Sequence, residues 1–232
     1  MRKSSRIDSR RDPSGQRPRA RLDGVLLSNR TAHVALFDTF NDSEVGLLLV
    51  DLQTGRFTGE PFDVVAIAEA RDPITTMGGV RMVPDAALAE LDPSDSDVLV
   101  LAGGDMWDAG GGQVFVDAAK RFLEAGVPVA AICGATAGLA RGGVLDDRKH
   151  TSASAEYLAM TGYAGGERYV DERAVVDGDL ITAGPQSPVQ FARATLGCLG
   201  LASERTLDAY ERLFHGGDAS AFPLLMQAGT DG

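Results

Sequence analysis

Two short apolar runs, each followed by small residues, constrain the fold of this chain most strongly. Residues 97–102 (DVLVLA) and 127–133 (VPVAAIC) indicate strands, and continuous apolar strands are typical of parallel sheets covered on both faces. Between them, residues 113–124 carry apolar side chains at helical spacing, and Gly126 follows as a stop signal. This alternation of strands and helices predicts an α/β fold.

The same alternation extends along the rest of the chain. Further strands are predicted at residues 33–37, 61–68, 169–170, 174–176 and 180–183. Further helices are predicted at residues 45–50, 84–91, 156–160, 189–199 and 203–214. Residues 74–76 and 80–83, joined through two glycines, predict a small β-hairpin.

The net charge of −11 is unevenly distributed. Residues 1–30 hold nine Lys and Arg against three Asp, a net charge of +6, which leaves −17 for the remaining residues. A body this acidic argues against nucleic-acid binding by the folded domain. The sequence has no apolar run of about 18 residues, so no membrane-spanning helix is predicted.

Length and composition predict one domain flanked by two tails. We expect the domain over residues 31–216, a basic disordered tail over residues 1–30, and a flexible C-terminal tail over residues 217–232. Two other interpretations of the basic segment remain open. It is an organelle-targeting segment, or the chain starts upstream of the natural first residue.

The two cysteines, Cys133 and Cys198, form no C-x-x-C pair, so neither a disulfide framework nor a zinc site is predicted. The three histidines also lack metal-binding spacing. We therefore expect no metal and no cofactor. Cysteine usage of this kind fits a reducing cytoplasm.

Cys133 is the candidate reactive residue because it stands at a strand-to-helix turn. The free N–H groups and partial positive charge of a helix N-terminus favour a thiolate and can lower a cysteine pKa below about 8.5. The arrangement is similar to the nucleophile elbow of serine hydrolases, with sulfur in place of oxygen. Gly103 and Gly104 end another predicted strand and can bring backbone N–H groups to an oxyanion. The alternative for Cys133 is a buried structural cysteine.

Six short segments occur in a defined order over roughly residues 32–200. They are Asp42-Ser43-Glu44; Gly78-Gly79-Val80 with Pro84-Asp85; Leu101-Ala102-Gly103-Gly104; Ala131-Ile132-Cys133-Gly134; Gly143-Val144-Leu145 leading to His150-Thr151; and residues 180–185. In this order they resemble the ThiJ/PfpI family of the class I glutamine amidotransferase-like superfamily. The resemblance implies a flavodoxin-like three-layer sandwich, usually dimeric, with a reactive cysteine.

Within this resemblance, Cys133 matches the family's nucleophile and Glu44 matches the acidic residue placed against it. Gly103 and Gly104 match the loop whose N–H groups face the substrate. His150 falls near a histidine that some subgroups bring towards the pocket.

The chain also departs from the family's patterns. Protease-like members carry histidine directly after the cysteine, where this chain has Gly134. Glutamine amidotransferases use a His-x-Glu pair, whereas His150 is followed by Thr151-Ser152. The standard peptidase and glutaminase machinery is therefore not expected.

Several candidate residues have a structural alternative. Glu44 could reach back to the Asn41 N–H in a capping box. Trp107 either roofs the pocket or packs at an interface. His150 either serves acid–base chemistry or lies in an exposed loop. Cys198 is expected in the core.

The leading hypothesis is a cysteine-dependent hydrolase or lyase, such as an amidase, deglycase or glyoxalase, acting on a small carbonyl or acyl compound. The Cys133 thiolate attacks, the N–H groups of Gly103, Gly104 and Gly134 hold the oxyanion, and Glu44, with or without His150, moves protons. The alternative is a redox sensor or stress-response protein oxidised at Cys133. A third possibility is a binding module that uses the pocket without chemistry.

Overall fold

The computed structural model describes residues 21–22, 25–26 and 30–229. Its strands are β1 Arg21–Leu22, β2 Val25–Leu26, β3 Thr31–Ala35, β4 Asp63–Ala68, β5 Ile74–Thr75, β6 Arg81–Met82, β7 Ala86–Ala87, β8 Val98–Leu101, β9 Val129–Ile132, β10 Ala174–Asp177 and β11 Leu180–Ala183. Its helices are α1 Asp42–Thr54, α2 Asp105–Asp108, α3 Gln113–Glu124, α4 Gly134–Arg141, α5 Ala155–Ala159, α6 Pro188–Cys198, α7 Glu204–Phe214 and α8 Phe222–Ala228.

Seven strands form one sheet in the order β10-β11-β9-β8-β3-β4-β7. All neighbouring pairs are parallel except β10 and β11. After β3 the chain first forms β4 on one side of β3 and later forms β8 on its other side. Such a reversal opens a crevice at the carboxyl ends of the strands, where ligands bind in doubly wound sheets. The residues that follow β3, β8 and β9 are therefore placed at one edge of the sheet.

Helices cover both faces of the sheet, because strands buried on both sides need apolar cover on each. Every residue of β8, β9 and β11 is buried. Helix α6 packs on β9 and β11 and also contacts α1 and α7, whereas α3 and α4 contact β9 and each other. The predicted α/β flavodoxin-like sandwich with a mostly parallel sheet is confirmed. The small hairpin is confirmed as the antiparallel pair β5–β6.

Four local predictions need correction or fall outside the described residues. Residues 84–91 hold the short strand β7 and a 3₁₀ turn at Leu88–Glu90 in place of a helix, because β7 pairs with β4. Tyr169 makes only an isolated bridge to His150. The predicted flexible C-terminal tail instead contains α8, which buries Leu225. The predicted disordered tail lies outside the described residues, apart from β1, β2 and residue 30.

Candidate active site

Cys133 occupies a strained turn between β9 and α4. Its φ of 58° and ψ of −128° place a non-glycine residue in a region that L-amino acids rarely adopt. The Cys133 N–H donates to the Ala183 carbonyl at 3.0 Å, and the Cys133 carbonyl accepts from the Thr136 N–H and hydroxyl at 3.1 and 2.6 Å. Such strain costs about 1–3 kcal/mol and persists only where surrounding bonds impose it. The thiol is partly exposed, as a nucleophile must be.

Glu44 lies in the first turn of α1 and turns its carboxyl group inwards. The residue is 2 % exposed. Its Oε2 accepts the Gly103 N–H at 2.7 Å, its Oε1 accepts the Asn41 side-chain amide at 2.9 Å, and it shares a hydrogen bond with the Cys133 thiol. The hydrogen bonds of the carboxyl are therefore with the Asn41 side chain and the Gly103 N–H, not with the Asn41 N–H that a capping box requires. The structure brings Glu44 and Cys133 together.

Burial dominates the electrostatics of this pair. Burial and the neighbouring Glu44 carboxylate raise the pKa of Cys133 to about 12, although the Gly134 N–H lowers it. Burial also raises the pKa of Glu44, against the hydrogen bonds that lower it. The helix N-terminus was expected to favour a thiolate at Cys133, and burial and Glu44 oppose that effect. Because like charges oppose each other, ionisation of either group disfavours ionisation of the other.

Gly103 is a glycine because two side chains converge on it. A Cβ at this position would lie 2.8 Å from Glu44 Oε2 and 2.9 Å from Cys133 Sγ. Its N–H is bonded to Glu44, so it is not available to an oxyanion in the way the sequence predicted. A Cβ at Gly104 would lie 2.6 Å from the Phe37 ring. Close packing of Gly103 against Glu44 and Cys133, and of Gly104 against Phe37, thus leaves no room for a side chain at either position.

Trp107 is in the core, which corrects the prediction that it roofs the pocket or lies at an interface. The residue is 0 % exposed, and its indole N–H donates to the Ala102 carbonyl at 2.8 Å. Its ring makes edge contacts with Phe37 and packs against α4, where a Cβ at Gly138 would lie 2.3 Å from it. Trp107 therefore supports the elbow helix from within the protein.

His150 is also buried, and the structure does not bring it to Cys133. Its Nδ1 lies 2.8 Å from the Arg148 carbonyl and its Nε2 lies 2.9 Å from the Tyr163 hydroxyl. A carbonyl only accepts, so Nδ1 donates to it, and in the neutral ring Nε2 accepts from the tyrosine hydroxyl. Burial lowers the pKa of His150, in agreement with this state. The predicted catalytic role of His150 is therefore not supported by its contacts.

Four polar residues near Cys133 were not predicted from the sequence. The Thr136 hydroxyl bonds the Cys133 carbonyl and lies 2.6 Å from the Ser152 hydroxyl. The Tyr157 hydroxyl donates to Asp108 Oδ1 at 2.6 Å. The one available signal was Ser154, which precedes a short apolar helix and accepts the Tyr157 N–H at 3.1 Å. It locates α5 but not the direction of the tyrosine ring.

Two further properties of the described residues concern metal binding and membrane insertion. Within them, no three His, Cys, Asp or Glu side chains cluster so as to hold a metal ion. None of the helices in that part of the chain is both long and apolar enough to cross a membrane.

Residues 30–197 match the DJ-1/PfpI family. The Bacillus subtilis protein named uncharacterized protease YoaZ is 34% identical over 81% of this chain and 91% of its own length. Deglycase TK1284 of Thermococcus kodakarensis is 33% identical over 55% of this chain and 76% of its own. A solved ThiJ/PfpI family protein from Bacillus anthracis is 35% identical over 86% of this chain and 97% of its own, with a TM-score of 0.81.

Proposed function

Because the chain belongs to the DJ-1/PfpI family, we propose that it is a cysteine-dependent hydrolase or lyase that acts on a small carbonyl or acyl compound. The observation that carries the proposal is that the buried Glu44 carboxyl and the Cys133 thiol converge on Gly103, where a Cβ would lie 2.8 Å from Glu44 Oε2 and 2.9 Å from Cys133 Sγ. It pairs a nucleophile with a proton acceptor at a strained turn, which is the arrangement that covalent catalysis requires. Relatives named protease and deglycase support an enzymatic function of this kind.

The raised pKa of Cys133 determines how the reaction begins. A neutral thiol attacks the carbonyl carbon while its proton passes to the ionised Glu44 carboxylate. The Sγ–C bond forms, and the π electrons of the carbonyl move to its oxygen. Glu44, now neutral, no longer repels the negative charge that develops next to it. It then returns the proton to the oxyanion or to the leaving group, and water hydrolyses any acyl-enzyme that forms.

Backbone N–H groups are the candidates for oxyanion stabilisation. Gly134 is the first residue of α4, and its N–H already donates towards the Cys133 sulfur. We assign the second position to Gly104, because the Gly103 N–H is bonded to Glu44. Donors held by the backbone act on charge as it develops and need no reorganisation.

The test is an activity assay against amides, dicarbonyls and acyl phosphates. Wild type is expected to turn over at least one class, and Cys133→Ala is expected to fall to background. Glu44→Gln is expected to lose about 10²–10⁴-fold, the usual contribution of general acid–base catalysis. Cys198→Ala is the matched control and is expected to remain active. Inertness of wild type towards the whole panel, or an active Cys133→Ala protein, would count against catalysis.

A second candidate function, reversible oxidation of Cys133 in a redox sensor or stress-response protein, is favoured by one observation. Burial raises the pKa of Glu44, so this carboxyl takes up a proton more readily than an exposed one, and in its protonated form it can donate a hydrogen bond to an oxygen added by peroxide. Intact mass after peroxide treatment separates the two functions. Saturable oxygen addition at Cys133, without turnover of any substrate, would favour the sensor.

We also propose that the protein is a homodimer in a reducing cytoplasm. Both cysteines are free thiols, which suits that compartment. The β5–β6 hairpin exposes three large apolar side chains, Met77, Val80 and Val83, at 51, 55 and 67 %. Several exposed apolar side chains on one hairpin are typical of an interaction site. Light scattering of wild type and of Val80→Lys/Val83→Lys tests this. An unchanged dimer would exclude the hairpin, and a monomeric wild type would exclude the dimer.

A further inference from the structure

The Tyr157–Asp108 hydrogen bond lies at the surface near the cysteine turn, because Asp108 directly follows Trp107, whose Cβ lies 3.2 Å from where a Cβ on Gly134 would stand. Tyr157 is partly exposed and Asp108 is exposed, and the bond between them measures 2.6 Å. Both side chains are within electrostatic range of Cys133: the Asp108 charge adds to the raised pKa of Cys133, and the Cys133 charge adds to the raised pKa of Tyr157. The charge of Arg141 acts on Tyr157 in the opposite direction. No step proposed above uses this pair.

The surrounding contacts hold the pair in position relative to the elbow. On one side, Ser152 is bonded to Thr136, which is bonded to the Cys133 carbonyl. Two residues later, Ser154 caps α5 by accepting the Tyr157 N–H. On the other side, Asp108 ends α2, a single turn that begins directly after the diglycine loop. The tyrosine and the aspartate thus approach Cys133 from two segments that are each tied to the site.

The direction of the Tyr157–Asp108 hydrogen bond limits what the pair can recognise. A phenol has one proton, and Tyr157 donates its proton to Asp108. The tyrosine oxygen and the Asp108 carboxylate therefore offer acceptors only. Asp108 also carries a negative charge at the surface. A substrate group placed against the pair must be a hydrogen-bond donor, and an anionic group there would be repelled.

We propose that Tyr157 and Asp108 determine the specificity of the Cys133 site, selecting neutral or cationic carbonyl compounds that carry an N–H or O–H donor over anionic ones. This inference rests on the proposed function for the identity of the substrate as a carbonyl or acyl compound. The position of the pair near Cys133 can be tested without measuring turnover.

The first experiment measures modification of Cys133 by charged thiol reagents in a Cys198→Ser background. Cationic aminoethyl and anionic sulfonatoethyl methanethiosulfonate both form a mixed disulfide with the thiolate and release methanesulfinate. Rates are normalised to those with free cysteine. The preference for the cationic reagent is expected to fall about three- to tenfold in Asp108→Asn, from the Coulomb energy of one unit charge at short range. Tyr157→Phe keeps the charge and should retain the preference within about twofold.

Asp63→Asn is the matched control, because Asp63 is exposed at the start of β4, at the end of the sheet opposite to Cys133. An effect of Asp108→Asn no larger than that of Asp63→Asn would overturn the proposal. Once a substrate is found, Tyr157→Phe is expected to lower kcat/KM for donor-bearing substrates about tenfold and to spare analogues without the donor. Equal losses on both would also overturn it. The rates with the thiol reagents do not require turnover. A failure of the proposed function is therefore seen separately, in the activity assay of wild type and Cys133→Ala.

Discussion

The Glu44 carboxyl and the Cys133 thiol share a hydrogen bond, and burial makes ionisation of either group unfavourable. Glu44 comes from the helix after β3, and Cys133 from the turn after β9, so the contact exists only because both strands end at the same edge of the sheet. The chemistry of the site depends on which of the two groups gives up its proton.

Glu44→Gln is expected to make Cys133 more acidic while making the enzyme less active. Removing the carboxylate removes the charge that opposes the thiolate, so the pKa of Cys133 should fall from about 12. The Cys133 alkylation rate by iodoacetamide against pH, in a Cys198→Ser background, measures this directly. Unchanged or slower alkylation at pH 8 would contradict the electrostatic coupling between the two groups.

The same substitution is expected to change how stability depends on pH. The pKa of Glu44 is raised in the folded protein, so folding favours its protonated form. That contribution is fully present below the ordinary pKa of about 4.5 and is lost as pH rises through the folded-state value. Glutamine does not titrate, so Glu44→Gln does not lose stability in this way as pH rises. The melting temperature of Glu44→Gln relative to wild type should therefore increase as pH rises above 4.5, and a constant difference would contradict the shift.

Gly103→Ala is expected to disrupt the site and the fold together. The added methyl group would lie under 3 Å from both Glu44 and Cys133, and forced overpacking costs about 1–3 kcal/mol. Urea unfolding and the alkylation rate of Cys133 should both change. Gly46→Ala is the matched control, because nothing lies within 4 Å of its Cβ and the site is inside α1. It should stabilise the protein by about 0.5–1 kcal/mol.

Gly138→Ala tests the support of the elbow helix by Trp107. The new Cβ would meet the indole ring at 2.3 Å, so a loss of about 1–3 kcal/mol in the free energy of unfolding is expected. Trp107→Leu should remove part of the clash in the double variant. A double-mutant cycle by urea unfolding measures the coupling free energy between the two positions. If the losses of the two single variants add up to the loss of the double variant, the two residues do not interact.

His150→Gln is expected to affect stability without affecting chemistry. Both ring nitrogens make buried hydrogen bonds, and leaving their partners unsatisfied costs about 1–3 kcal/mol each. Turnover and the alkylation rate of Cys133 should stay within about twofold of wild type. A tenfold loss of turnover at unchanged melting temperature would restore His150 as a catalytic residue.

Much of the architecture could be predicted from local patterns. Helix α3 spans residues 113–124, as its apolar spacing predicted, and β8, β9 and β11 lie within their apolar runs. The turn at Cys133 was predicted because small residues follow a buried strand. These features depend on neighbours in the sequence, and periodicity reports which face of a segment is buried.

The sequence by itself therefore determined the parallel sheet, the turn at Cys133, and the three segments after β3, β8 and β9 that meet at one edge of the sheet. Only the tertiary structure decided that Trp107 and His150 are buried, that Glu44 and Cys133 converge on Gly103, and that Tyr157 and Asp108 form a hydrogen bond near the cysteine turn. The physical reason is that desolvation and charge coupling depend on distances between remote segments. Those distances are set when the layers pack, and no local pattern encodes them.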